Sequence, residues 1–274
     1  MLDQRTQHGG WQLEEDSAAA YERYLVAAFM KDAAERLLDL VQLQPTERVL
    51  DVACGTGIVA RRAARRLEPG AVTGVDLNEG MLAVARKAAA AEGVQIDWRQ
   101  GNVEDLPFPR GAFDAVFCQQ AAQFFPDPVA ALREMRRVLA PDGRIGLGVC
   151  RSVERNRVYG LLAEALTRHV GDDAGAGMRS PFPSWSVTEL RAMFTEAGFC
   201  DVNVRIEIAP TRFPSPEELL RREVASSPLA PVVAALSPEV RDALVADVSQ
   251  SLGAYVDDDG VHIALETYAV TALR

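Results

Sequence analysis

Residues 49 to 60 read Val-Leu-Asp-Val-Ala-Cys-Gly-Thr-Gly-Ile-Val-Ala, an apolar strand with an acid inside it, a glycine turn, and the start of a helix. Gly55 and Gly57 let the backbone turn tightly and approach a ligand, and the helix that follows directs free N–H groups at the same place. That chemistry suits a nucleotide-like cofactor. The spacing Gly55-x-Gly57-x-x-Ala60 satisfies a dinucleotide fingerprint, so a pyridine dinucleotide and an oxidoreductase are one reading.

Asp51 argues for another. A carboxylate four residues before the first glycine would repel a doubly negative pyrophosphate, whereas it would attract the ammonium and sulfonium of S-adenosylmethionine (SAM). A purely structural role, capping the turn or helix, is the alternative for Asp51. Asp76 closes a second apolar strand, a place where an acid serves a dinucleotide reading equally well.

The elements that must position these residues follow from periodicity and punctuation. Helical spacing of Leu25, Phe29, Ala33, Leu37 and Leu40 predicts one or two helices over 17–43, ended by Pro45. Strands are predicted at 48–53, 71–75, 94–99, 113–118 and 144–149, alternating with helices at 58–67, 78–91 and 128–139. Strand alternating with helix implies a parallel sheet. Beyond 150 the expectations are a helix at 156–169, a glycine-rich segment from Gly171 to Gly177 read as a mobile lid or a plain loop, a helix at 188–197, and strands at 202–208 and 263–271. Five prolines between 214 and 238 punctuate a run of short helices. The organisation expected is a helical cap over 1–44, a cofactor-binding core over 45–150, a lid or connection over 151–187, and completion of the sheet over 188–274 with a helical insertion at 211–258.

Composition narrows the class. A chain of 274 residues with 48% hydrophobic and 25% charged residues is ordinary for a globular α/β protein, and no apolar run approaches a membrane span. Met1 to Arg5 shows no basic flank leading into an apolar stretch, so a cytoplasmic location is expected. Cysteines at 54, 118, 150 and 200 lack metal-ligand or CxxC spacing, so no metal site is expected. A net charge of −10 disfavours a phosphate backbone as partner, and the arginines at 61, 62, 65 and 66 read as a solvated helix face. The partner expected is a small molecule, with neither nucleic acid nor membrane.

The five ordered motifs 49–57, 72–78, 101–108, 113–118 and 139–143 resemble those of class I SAM-dependent methyltransferases acting on small molecules, near the ubiquinone and menaquinone C-methyltransferase-like group. The resemblance covers roughly 20 to 210. It implies an α/β fold with a Rossmann-like, seven-stranded, mostly parallel sheet, helices on both faces, and a helical cap inserted before the last strand. Carried over to this chain, it implies that Asp51, Gly55, Thr56 and Gly57 surround the methionyl end of SAM, that Asp76 holds the ribose, and that Leu77 and Met81 pack on the adenine. Asn102 stands where relatives usually carry Asp to accept from the adenine amino group, Val103 would offer its backbone, Gln119 would lie near the methionyl group, and Tyr21 would cap the cofactor or simply pack its helix.

Gln123 and Trp185 are the candidates for the methyl acceptor's pocket. No catalytic base declares itself, and His169 and His262 read as surface or structural residues. The implied reaction is metal-independent transfer of a methyl group to an O, N, S or C nucleophile, leaving S-adenosylhomocysteine (SAH). A SAM-fold protein without methyl transfer is the remaining alternative.

Overall fold

The computed structural model describes residue 11 and residues 13–274. The expectation of no leader at Met1 to Arg5, and the first ten positions of the N-terminal cap, lie outside the described residues. An open sheet runs through the molecule in the order β3-β2-β1-β4-β5-β8-β6. Its strands are β1 Val49–Val52, β2 Val72–Asp76, β3 Asp97–Gln100, β4 Phe113–Gln119, β5 Leu139–Cys150, β6 Cys200–Phe213, β7 Val256–Asp257 and β8 Gly260–Leu273. The first five strands are parallel, and β8 runs antiparallel between β5 and β6. This is the expected Rossmann-like sheet with one addition: the two-residue β7 makes an eighth strand by pairing back on the start of β8. Its brevity explains why no periodicity announces it.

The central strands are apolar and buried on both faces, as crossover helices require. Helices α3 Ile58–Ala64, α4 Glu79–Glu92 and α5 Pro128–Val138 supply those crossovers, with local start and stop signals that the side chains honour. Asn78 accepts from the Met81 N–H at the start of α4, and Asp127 accepts from Val129 and Ala130 at the start of α5, with Pro128 as first helical residue. The Pro141–Gly143 turn is absorbed within β5, where the register jumps from Phe113↔Leu139 to Ala115↔Arg144.

The N-terminal helices are α1 Glu15–Tyr21 and α2 Lys31–Val41, joined without a break by a π-helical segment, Glu22–Met30. Past β5 come α6 Arg157–His169, α7 Asp172–Arg179, α8 Val187–Glu196, and, between β6 and β7, α9 Pro216–Ala225, α10 Ala230–Ala234 and α11 Pro238–Ser251. The glycine-rich stretch expected as a loop or lid is the helix α7, with Ala174, Gly175 and Met178 buried. Gly175 is there for contact: a Cβ on it would sit 1.9 Å from Thr167 Oγ1 and 2.9 Å from the Ala163 carbonyl, so only glycine lets α7 lie this close to α6.

The arginine cluster on α3 also differs from a solvated face. Arg61 is 3% exposed and is held by Glu22 of the π-helical segment and Glu92 of α4, while Arg65 binds Glu92 and Arg66 binds Glu35 and Asp39. Acids on three other elements meet this face, which periodicity within α3 alone does not reveal. Cys54, Cys118 and Cys150 are buried free thiols, and Cys200 is exposed. Among the described residues no helix is long and apolar enough to cross a membrane, and no group of three or more His, Cys, Asp or Glu is placed to hold a metal ion.

Candidate active site

A cavity of about 290 Å³ opens at the carboxyl ends of β1, β2 and β4, the edge at which open α/β sheets bind ligands. The turn after β1 builds its floor. Ala53 and Gly55 both adopt left-handed backbone, at φ of 50° and 55°, which carries the chain over the strand end and leaves the space beside Gly55 open. Asp76 braces that turn from β2: one carboxylate oxygen accepts from the Gly55 N–H at 2.7 Å and the other from the Asn78 N–H at 2.8 Å. Each oxygen keeps a lone-pair direction for a ligand.

Asp51 is 1% exposed, and it accepts from the Ala60 N–H at 2.9 Å. It therefore ties down the first turn of α3, as its structural reading asks, and it also lines the cavity. The price is an N–H of α3 no longer free for a ligand. Burial pushes the Asp51 carboxyl up to about 8, against the lowering effect of the Ala60 bond, and Asp76 nearby adds to the rise. Asp76 is raised as well, by burial. Asp51, Asp76 and Glu104 line the cavity, and no Lys, Arg or His does among the described residues.

The other sequence-predicted residues fall as follows. Tyr21, Thr56, Leu77, Met81, Val103 and Gln119 all line the cavity. The Tyr21 hydroxyl is pushed well above its ordinary value by burial. Met81 is also part of a small core with Leu13, Ala18 and Val84, so packing and lining are one role. Thr56 Oγ1 and Gln119 Oε1 are buried without a protein partner, while Gln119 Nε2 donates to the Met30 carbonyl at 3.0 Å. Asn102 lines the cavity too, and its amide oxygen already accepts from the Glu104 N–H at 3.0 Å. Gly57 does not line it. That glycine, at φ of 80°, is buried against Trp98, whose ring atom Cη2 would lie 2.3 Å from an added Cβ.

A second cavity of about 60 Å³ adjoins the first, and the two share Trp11, Tyr21, Met30, Gln120 and Phe124. Gln123 lines this second space, with its Oε1 buried and unpartnered. Trp185 does not reach either cavity; it packs on the sheet core with Leu190, Met193 and Phe194. Its flanking prolines suggest an exposed loop, but Ser186 opens α8 with a capping box to Glu189, and that turn directs the indole inward.

Among the residues of the paired cavities that escape the sequence reading, four stand out. Gln120 lines both cavities, takes left-handed backbone at φ of 56° and keeps a buried amide oxygen without a protein partner, a conformation that no local signal betrays. Met30 and Trp11 arrive from the N-terminal segment, where the indole of Trp11 donates to Ser180 at 3.0 Å. Glu223 is the fourth, and it did leave a trace: it is a lone acid on the buried stripe of α9, beside Leu219, Leu220 and Val224.

Comparison with known proteins decides between the cofactors. A methyltransferase-domain family model matches residues 49–143, which span the floor and both acidic strand ends. Demethylmenaquinone methyltransferase of Thermus thermophilus is 41% identical over 185 residues, covering 63% of this chain and 82% of that protein. The chain belongs to the SAM-dependent methyltransferases. Nocamycin O-methyltransferase of Saccharothrix syringae is 43% identical over 121 residues, 43% of either protein, so the methyltransferase spans less than half of that relative's length. Among solved structures, phosphoethanolamine N-methyltransferase 2 of Haemonchus contortus in complex with SAM superimposes with a TM-score of 0.60 at 22% identity, over 96% of this methyltransferase and 58% of that chain. That likeness is one of fold. The cofactor is SAM, and the lining fits it: three carboxylates with no Lys, Arg or His among the described residues suit a positively charged adenosyl ligand and not a pyrophosphate.

Proposed function

We propose that this protein binds SAM in the 290 Å³ cavity and transfers its methyl group to a small, partly apolar metabolite seated in the adjoining space. The observation that carries the reading is the cavity's one-signed lining, three acids and, among the described residues, no Lys, Arg or His, at the end of a parallel sheet. In this reading Asp51, Gly55, Thr56 and Gln119 surround the methionyl end, Asp76 takes the ribose hydroxyls, and Leu77, Met81, Asn102 and Val103 hold the adenine. Gly57 acts one step back, by letting the turn close over Trp98. Tyr21 stands between cofactor and acceptor.

SAM supplies a methyl group already activated by the sulfonium charge, so the residues' work is alignment and exclusion of water. Aromatic and aliphatic walls, including Phe124, Phe29 and Phe182, do the excluding. A nucleic acid is no partner in this reading, because the arginines on α3 are spent on Glu22, Glu35, Asp39 and Glu92. Calorimetry tests the donor half: SAH binds and NAD(H) does not, and Asp76→Ala weakens SAH by about 1–3 kcal/mol. Binding of NAD(H) in place of SAH would overturn the reading. Transfer of label from methyl-labelled SAM to any component of a metabolite extract tests the acceptor half.

A further inference from the structure

The smaller cavity has apolar walls and one acid. Glu223 is 3% exposed, and its Oε1 accepts from the Tyr159 hydroxyl at 2.9 Å. The Tyr159 ring in turn lies 4.7 Å from that of Phe182. The titratable groups facing the cavity besides Glu223 are Tyr21, Cys150 and Tyr159, all raised by burial and hence neutral, and no Lys, Arg or His lines it among the described residues. Arg222, next to Glu223 on α9, lies over the rings of Tyr24 and Phe213 and binds Glu218. A carboxyl buried with no cation is costly, and an apolar residue would pack the α9 stripe better. A group held at such cost calls for a use.

We propose that Glu223 is the proton acceptor for the methyl acceptor, oriented by Tyr159, and that the acceptor is a small aromatic ring bearing a hydroxyl. This rests on the methyl-transfer reading above and adds the substrate class to it. The rings of Phe29, Phe124, Tyr159 and Phe182 offer faces and edges to a planar guest. Gln120 and Gln123 also line this space, each with a buried amide oxygen that no protein group pairs. In transfer, the acceptor oxygen bonds to the methyl carbon while the carbon–sulfur bond breaks and leaves its electron pair on sulfur. The hydroxyl proton passes to a Glu223 oxygen and later to solvent, giving a methyl ether and SAH. Burial raises Glu223 to about 7, which suits a base working near neutral pH. An amine attacks through a free lone pair and would need no such group.

The test uses the full chain, its Glu223→Gln and Tyr159→Phe variants, methyl-labelled SAM, and the matched pair 4-methylphenol and 4-methylaniline. All three proteins should bind SAH equally within about twofold, which establishes that the variants fold; failure of the wild type to bind SAH would instead defeat the methyltransferase reading itself. Wild type should label the phenol and not the aniline, with a rate rising through about pH 7. Glu223→Gln should lose about 10²-fold or more in kcat and lose that pH limb, and calorimetric binding of 4-methylphenol to its SAH complex should weaken about tenfold. Tyr159→Phe removes a bond that favours the carboxylate, so its limb should move to higher pH with a smaller loss of kcat. Label in the aniline alone or in neither compound, or full activity in Glu223→Gln, would overturn the assignment.

Discussion

Two buried acids give this molecule a pH dependence of defined sign. Asp51 moves from an ordinary 3.8 up to about 8 on folding, and Glu223 from 4.5 up to about 7. A group raised in this way favours the folded state while it keeps its proton. Its contribution is full below about pH 4 and is lost as pH climbs through the folded value. The ligand-free protein should therefore show a falling Tm between pH 5 and 9. SAM brings a cation to Asp51 and favours the carboxylate, so its affinity should rise over the same range, by at most about tenfold per pH unit. Asp51→Asn keeps an acceptor for the Ala60 N–H and removes the charge, and titration calorimetry should find its SAM affinity nearly flat with pH. A wild-type affinity that falls with pH would contradict the placement of the sulfonium beside Asp51.

The two glycines of the turn separate by what a methyl group would meet. At Gly55 there is open space, so Gly55→Ala carries only the left-handed backbone penalty, about 1–2 kcal/mol in denaturant unfolding. Gly57→Ala adds a collision with Trp98 and should cost about 1–3 kcal/mol more, of which Trp98→Leu in the same chain should return a part. Equal losses at both glycines would show that the Trp98 contact yields freely. The turn between β1 and α3, and Asp127 and Ser186 at their helix starts, were legible because each signal lies within a few residues of the structure it makes. Elsewhere local reading fails for a common reason. Gly171 to Gly177 contains three glycines, poor helix formers, and only the approach of α6 explains why a helix with Gly175 in it is stable. Arg61 reads as solvated until Glu22 and Glu92, 39 and 31 positions away, come to meet it. The strand-end acids of the site are visible in the sequence, whereas Gln120, Tyr159 and Glu223 gain meaning only when β4, α6 and α9 converge.

The chain builds two principal cores with different tasks. One, containing Leu50, Val116, Met135 and Val270, sits between the sheet and α5 and α8. The other joins the cap helices to α6, α7 and the π-helical segment, through Phe29, Leu166, Leu219 and Leu244. The larger cavity draws on the sheet's strand ends, and the smaller draws on the second core. Leu244→Ala, at a fully buried position on α11, should cost about 2–5 kcal/mol and speed hydrogen exchange in α6, α9 and α11. SAH affinity should stay within about threefold; a collapse of SAH binding in that variant would mean that the two cores are one cooperative unit. Where β8 lies has a further consequence, one for biosynthesis. Among the described residues β6 pairs with no strand but β8, and β8 is made some fifty residues later, after the whole cap. During translation, therefore, the fourteen residues of β6 must wait without a partner while α9 to α11 emerge. Until β8 inserts, β5 presents an open hydrogen-bonding edge, so the nascent chain is most exposed to mispairing with a neighbour during the interval in which its acceptor pocket is being assembled.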